Sequence, residues 1–150
     1  MTLKETILAD LKRSMQEKNE AKTATLRLFI SSMKNKEIEM QKRDGGLTED
    51  EMTVVLKQEV KKRKDAIIEY EGAGRPELAA PEKEELAILS VYLPPEVGDD
   101  VIREAVEKAI QETGAVSAQD FGKVMKHVTQ TLKNQASGDR ITPVVKALLK

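Results

Sequence analysis

Lys123 and Lys126 lie one helical turn apart beside Gly122, and of all the residues in this chain they are best placed to do chemistry. That chemistry is electrostatic. At the 3.6-residue period, Phe121, Val124, Met125, Val128 and Leu132 fall on one side of a helix, and Lys123, Lys126 and Lys133 fall on the other. Gly122 leaves backbone bare in the first turns. A short helix of this kind buries one face and offers a basic one to an anionic partner; it is not a reaction centre. Ser117 and Asp120 start it with a variant of the capping box, after a loop that begins at Gly114.

The other reactive side chains are more easily read as structure. His127 is the only histidine. A general base, a metal ligand and a phosphate contact are all open to it, but its place beside an apolar stripe suits a half-exposed helical residue with no catalytic role. With no second histidine and no cysteine, a transition-metal site is not expected, and thiolate chemistry is excluded. Ser31-Ser32 has no base near it in the sequence. Glu82, Glu84 and Glu85 have the chemistry to collect Mg²⁺, yet acids at the positive end of a helix account for them. The glycines at 45–46 and 72–74 follow helical patterns rather than strands, so they read as helix stops and not as phosphate loops. Glu37 falls on the apolar face of one helical pattern, and Glu59 and Arg63 fall on that of the next. This is the signature of a semi-buried ion pair, Arg63 with Glu37 or with Glu59, and the alternative is a carboxylate–arginine ligand site. No catalytic constellation and no cofactor site emerges.

The elements that position these residues are helical throughout. Hydrophobic residues make up 39% and charged residues 34% of the 150, enough apolar content for a core, and the excess of Lys, Glu and Ala favours helices. The first helix begins at Thr2 with Glu5 completing a capping box, and its stripe is Leu3, Ile7, Leu8, Leu11 and Met15. The second runs from about Glu20 to Arg43, with Leu26, Phe29, Ile30, Met33 and Met40 on one face. Thr48 and Glu51 start the third, whose seam holds Met52, Val55, Leu56, Ala66, Ile67 and Tyr70. A fourth takes Pro81 in its first turn and uses Leu86, Leu89 and Leu93. Leu93-Pro94-Pro95 ends it and marks a domain boundary. Asp99 or Asp100 caps a fifth, with Val101, Ile102, Ala105, Val106, Ala109 and Ile110 in register. The sixth is the basic helix, and the seventh begins at Thr142 and Pro143. Nothing reads as a strand. The expectation is an all-α protein, with a four-helix N-terminal domain (1–93) and a small three-helix C-terminal domain (94–150).

Charge is segregated. The chain carries a net −1, so it has no global attraction for nucleic acid. Residues 94–113 hold two Lys/Arg against six Asp/Glu, and from Gly114 onward the count is six against two. The basic end comprises Lys123, Lys126, Lys133, Arg140, Lys146 and Lys150, with a polar loop from Asn134 to Arg140 suited to phosphates and sugars. Lys57, Lys61 and Lys64 form a second strip that reads as a solvated face. Aromatics are scarce, so stacking on single-stranded bases is not expected, and backbone contact guided by shape is. No apolar run reaches the roughly 20 residues that span a bilayer, and the first helix lacks a signal-peptide core. No membrane association and a cytoplasmic location are therefore expected.

The run QEVKKRKDAIIEYEGAGRPELAAPEKEELAILSVYLPPEV, then GAVSAQDFGKVMKHV, then ITPVVKALL, resembles the YqeY-like family from Leu26-Arg27 to Leu149. Its most specific pieces are Arg63 with Tyr70 and Arg75, Glu82 and Glu85 ahead of Tyr92-Leu93-Pro94, and Gly122-Lys123-Val124-Met125. Phe121 stands where the family often has Met. That family is similar to the C-terminal helical and tail portion of the B subunit of the glutamine-dependent Asp-tRNA/Glu-tRNA amidotransferase, a carbon–nitrogen ligase. The resemblance implies a helical domain joined to a tail that holds tRNA, with Gly122, Lys123, Lys126, Lys133, Arg140 and Lys146 as the nucleic-acid-facing residues. It also implies that this chain lacks the portion that phosphorylates and amidates the aminoacyl group. The function expected is a tRNA-binding accessory module, not self-sufficient as a catalyst. The alternative is a helical module that docks on an amidotransferase, a synthetase or another partner, through places such as Ile68 and the acidic fifth helix.

Overall fold

In the computed structural model, which describes residues 1–42, 44–133 and 135–149, the regular structure is helical and no strand occurs among the described residues. The order is α1 (Leu3–Gln16), α2 (Glu20–Glu39), α3 (Glu49–Gly72), α4 (Pro76–Ser90), α5 (Asp99–Thr113), a 3₁₀ turn (Ala118–Asp120), α6 (Phe121–Leu132) and α7 (Gly138–Leu148). The chain divides into two compact units, Met1–Leu93 and Pro94–Lys150. Arg43 in the expected second helix, Asn134 in the expected loop and Lys150 at the basic end lie outside the described residues.

In the first unit, α1–α4 enclose Ile7, Leu26, Phe29, Leu56 and Leu89, all at most 1% exposed. Reciprocal capping boxes start α1 and α3. Thr2 Oγ1 accepts from Glu5 N at 3.1 Å while the Glu5 carboxylate accepts from Thr2 N at 2.9 Å, and Thr48 and Glu51 repeat the pattern. The Glu49 carboxylate also accepts from Leu3 N at 3.1 Å, which ties the starts of α1 and α3 together. Buried Ser14 shares a hydrogen bond of 2.8 Å with partly buried Thr23 across α1 and α2. At the far end of the unit, the Tyr92 hydroxyl donates to Asp10 Oδ2 at 2.6 Å. Burial first, and then that bond, raise the Tyr92 phenol well above its ordinary pKa.

In the second unit, α5, α6 and α7 enclose Ile102, Val106, Val124, Val128, Ile141 and Val145. Gly114 ends α5 in the left-handed region at φ +69, the conformation that glycine adopts most cheaply.

Several expectations need correction. α2 ends at Glu39 because Gln41 turns left-handed at φ 57, ahead of the glycine pair. α4 starts at Pro76, whose fixed φ suits the first helical position, so Pro81 lies inside and Glu82, Glu84 and Glu85 are not at the positive end. Gly98 caps α5, and Asp99 and Asp100 are its first helical residues rather than its cap. α7 begins at Gly138, which places Thr142 and Pro143 in its interior. Leu8, Met15, Met40 and Val101 are exposed, because the neighbouring helices close over only part of each apolar stripe.

Candidate nucleic-acid interface

α6 is braced at its start. The Asp120 carboxylate accepts from Val116 N at 3.0 Å and from Ser117 N at 3.4 Å, bracing the 3₁₀ turn that leads into the helix. These backbone donors, the Val116 N–H first, hold the Asp120 carboxyl below its ordinary range, and nearby Lys123 adds to the effect. Val124, Val128 and Leu132 pack inward, with Phe121 and Met125 partly buried beside them. That rotation turns Lys123 and Lys126 out to solvent on adjacent turns. Gly122 is exposed between them and the turn, and a Cβ added there would meet nothing within 4 Å. No turn and no packing partner therefore demands glycine at 122.

The remaining expected contacts are not equivalent. Lys146 is exposed in the last turn of α7, where a cation also favours the helix dipole. Among the described residues, Lys123, Lys126 and Lys146 form no ion pair. Lys133 caps α6 at φ 50, is exposed and is already engaged in an interaction. Arg140 is not a loop residue waiting for phosphate. It sits in the first turn of α7, with Nη1 2.7 Å from Glu96 Oε2 and Nη2 2.9 Å from Asp99 Oδ1. Its guanidinium is forked across two carboxylates, Asp99 the stronger influence, which raise its pKa further. Of the expected contacts, Lys123 and Lys126 on α6 and Lys146 on α7 are thus exposed and outside any ion pair among the described residues. Of the other lysine strip, Lys61 pairs with Asp65 at 2.9 Å.

His127 Nε2 lies 2.9 Å from Glu112 Oε2, joining α6 to α5, and its Nδ1 is buried without a hydrogen-bond partner. Nε2 is the ring nitrogen that can donate to the Glu112 carboxylate. The pair links the two helices as a strut.

In the first unit, Arg63 is 7% exposed and donates through Nη1 to Glu59 Oε2 at 2.9 Å and to the Glu59 carbonyl at 3.0 Å. Its Nε donates to Glu85 Oε2 at 3.0 Å. Burial pushes Glu59 up, but hydrogen bonds from Arg63 and Lys62 outweigh it and hold the carboxyl below its ordinary range. Glu37 is partly buried, and its Oε1 would stand 3.5 Å from a Cβ at Gly46. The sequence did not reveal Glu85 as a partner, because it is 22 residues away on α4.

Comparison with known proteins adds a lineage. The model of the family described as Yqey-like protein matches residues 4–149. A protein of Clavispora lusitaniae named "Altered inheritance of mitochondria protein 41, mitochondrial" is 33% identical over 147 residues, which cover 94% of this chain and 84% of that protein. Its namesake in Vanderwaltozyma polyspora is 33% identical over 122 residues, 77% of this chain and 65% of that protein. The namesake in Saccharomyces cerevisiae strain YJM789 is 34% identical over 86 residues, 56% of this chain and 44% of that protein. All three names place those proteins in mitochondria, and this overturns the cytoplasmic expectation. The features behind that expectation, no spanning run and no signal-peptide core, fit the interior of an organelle equally well.

Proposed function

The chain belongs to the YqeY-like family, and from that premise we propose that it is a tRNA-binding accessory module without catalytic activity of its own. The observation that carries the reading is the outward face of α6, where exposed Lys123 and Lys126, in no ion pair among the described residues, follow a backbone left bare at Gly122. A phosphate chain is the polyanion that fits such a face, because lysines neutralise phosphates and a helix without a Cβ allows close approach. The likeness of this stretch to the tail of the amidotransferase B subunit supports tRNA as the nucleic acid. The fork of Arg140 onto Glu96 and Asp99 takes that side chain out of the contact set. We read the two units as a four-helix N-terminal domain and a three-helix C-terminal domain, each folding alone. The relatives' names support a mitochondrial setting.

The test is fluorescence anisotropy of an end-labelled, unfractionated tRNA pool, titrated with the full chain at two salt concentrations. Binding should weaken as salt rises, with a slope of log K against log salt of about −2 to −3 for three lysine contacts. Lys123→Glu/Lys126→Glu should flatten that slope by about two. If no tRNA binds, or the double variant binds as the intact chain does, the proposal fails.

A further inference from the structure

Two strips of side chains that the first core leaves outside meet along α1 and α2. On α1, Leu8, Lys12 and Met15 recur at helical spacing and are all exposed. On α2, Ala24, Arg27, Leu28 and Ser31 do the same. The strips join where Arg27 Nη2 comes within 3.3 Å of Met15 Sδ. Beside that contact is a notch of about 360 Å³ lined by Met15, Lys18, Glu20, Thr23, Ala24 and Arg27. Leu8 and Met15 are 45% exposed and Leu28 is 53% exposed.

The charge is basic where the strips meet, although Arg13 and Lys36 pair with Asp10 and Glu39 at the edges of that stretch. Residues 12–36 hold seven Lys/Arg against two Asp/Glu, Glu17 and Glu20. Among the described residues, Lys12, Lys18 and Arg27 form no ion pair, and the polar contact of Arg27 is a thioether, a weak acceptor. The fold thus leaves three cations outside any ion pair, with Glu20 the one carboxylate in the notch, near three half-exposed apolar side chains.

We propose that the outer face of the α1–α2 pair docks an acidic amphipathic helix from a partner protein. Apolar side chains of that helix, at i, i+3 or i+4, and i+7, would cover Leu8, Met15 and Leu28. Its flanking carboxylates would meet Lys12, Lys18 and Arg27, and Met15 is a side chain that adapts to the shape of its partner. Charge complementarity names the sign of the partner, and the apolar component names its class. A nucleic acid would engage the cations but leave three apolar side chains uncovered, and the surface offers no aromatic ring on which a base could stack. This surface lies on the first unit and does not depend on the tRNA reading of α6.

The experiment records amide shifts of the full ¹⁵N-labelled chain as a synthetic helix of about 18 residues is added, with Leu on one face and Glu along both flanks. The comparison peptides are a scramble of the same composition and a version with Lys in place of Glu. The Leu/Glu helix should shift amides of α1 and α2, and the scramble and the Lys version should bind at least about tenfold more weakly. Arg27→Glu and Leu28→Ser, both at exposed positions, should each weaken binding, Arg27→Glu by about tenfold. Lys123→Glu/Lys126→Glu should leave it unchanged. Equal binding by the scramble, or shifts of these amides by a short RNA duplex or anionic vesicles but not by the peptide, would overturn the proposal.

Discussion

With its guanidinium almost out of water, Arg63 holds carboxylates from two helices, Glu59 one turn back and Glu85 on α4. Arg63→Ala would leave part-buried Glu59 with only the exposed Lys62 as a cation and take away the partner of Glu85, and should cost about 3 kcal/mol in urea unfolding. Arg63→Met combined with Glu59→Gln should recover most of that loss, since the strain lies in the uncompensated charge. Gly122 makes the opposite kind of prediction. Its helical conformation and open surroundings mean that Gly122→Ala should stabilise the chain by about 0.5–1 kcal/mol in thermal melts. If bare backbone meets RNA there, the same substitution weakens tRNA binding, so stability and affinity move in opposite directions. Contacts on one helix were partly legible in the sequence: Glu59 was one of two partners open to Arg63, the other being Glu37, and Lys123 and Lys126 pointed outward together. Pairs set by the tertiary fold were not, as with Arg63 and Glu85, or Arg140 with Glu96, which are 44 residues apart.

Helix starts depend on carboxylates that work only when ionised. Glu51, held by Lys42 and then by Thr48, lies below its ordinary range, as do Asp120 at the start of α6 and Glu59 inside α3. A carboxylate depressed in the folded state contributes stability above its unfolded pKa and loses it as pH falls through the folded value. Urea midpoints should therefore be level between pH 7 and about 5 and fall steadily below about 4.5. A midpoint unchanged at pH 3 would contradict the role given to these caps. The caps at Thr2, Thr48 and Gly114 could be read from sequence because each is a local bargain between neighbouring residues. The starts of α4 and α7 could not. A proline reads as a first-turn residue, yet Pro81 and Pro143 both sit inside their helices, on exposed positions. Exposure of Leu8 and Met15 was also hidden, since periodicity gives the apolar stripe but not how much of it the neighbours cover.

Each unit of the whole molecule has its own apolar cluster, and the two clusters share no residue. Fragments 1–93 and 94–150, expressed separately, should both show cooperative helical melts by circular dichroism. The second should melt at the lower temperature, because it is near the size, about 60 residues, at which burial only just offsets chain entropy. An unfolded second fragment would remove the domain reading without touching the helical assignment. The last residue before the junction is Leu93, and the phenol of its neighbour Tyr92 is bonded to Asp10 on α1. Tension on the backbone from the second unit is therefore borne by a rivet into the first helix before it reaches α4, so a pull at the C-terminus should be felt near the N-terminus of the chain.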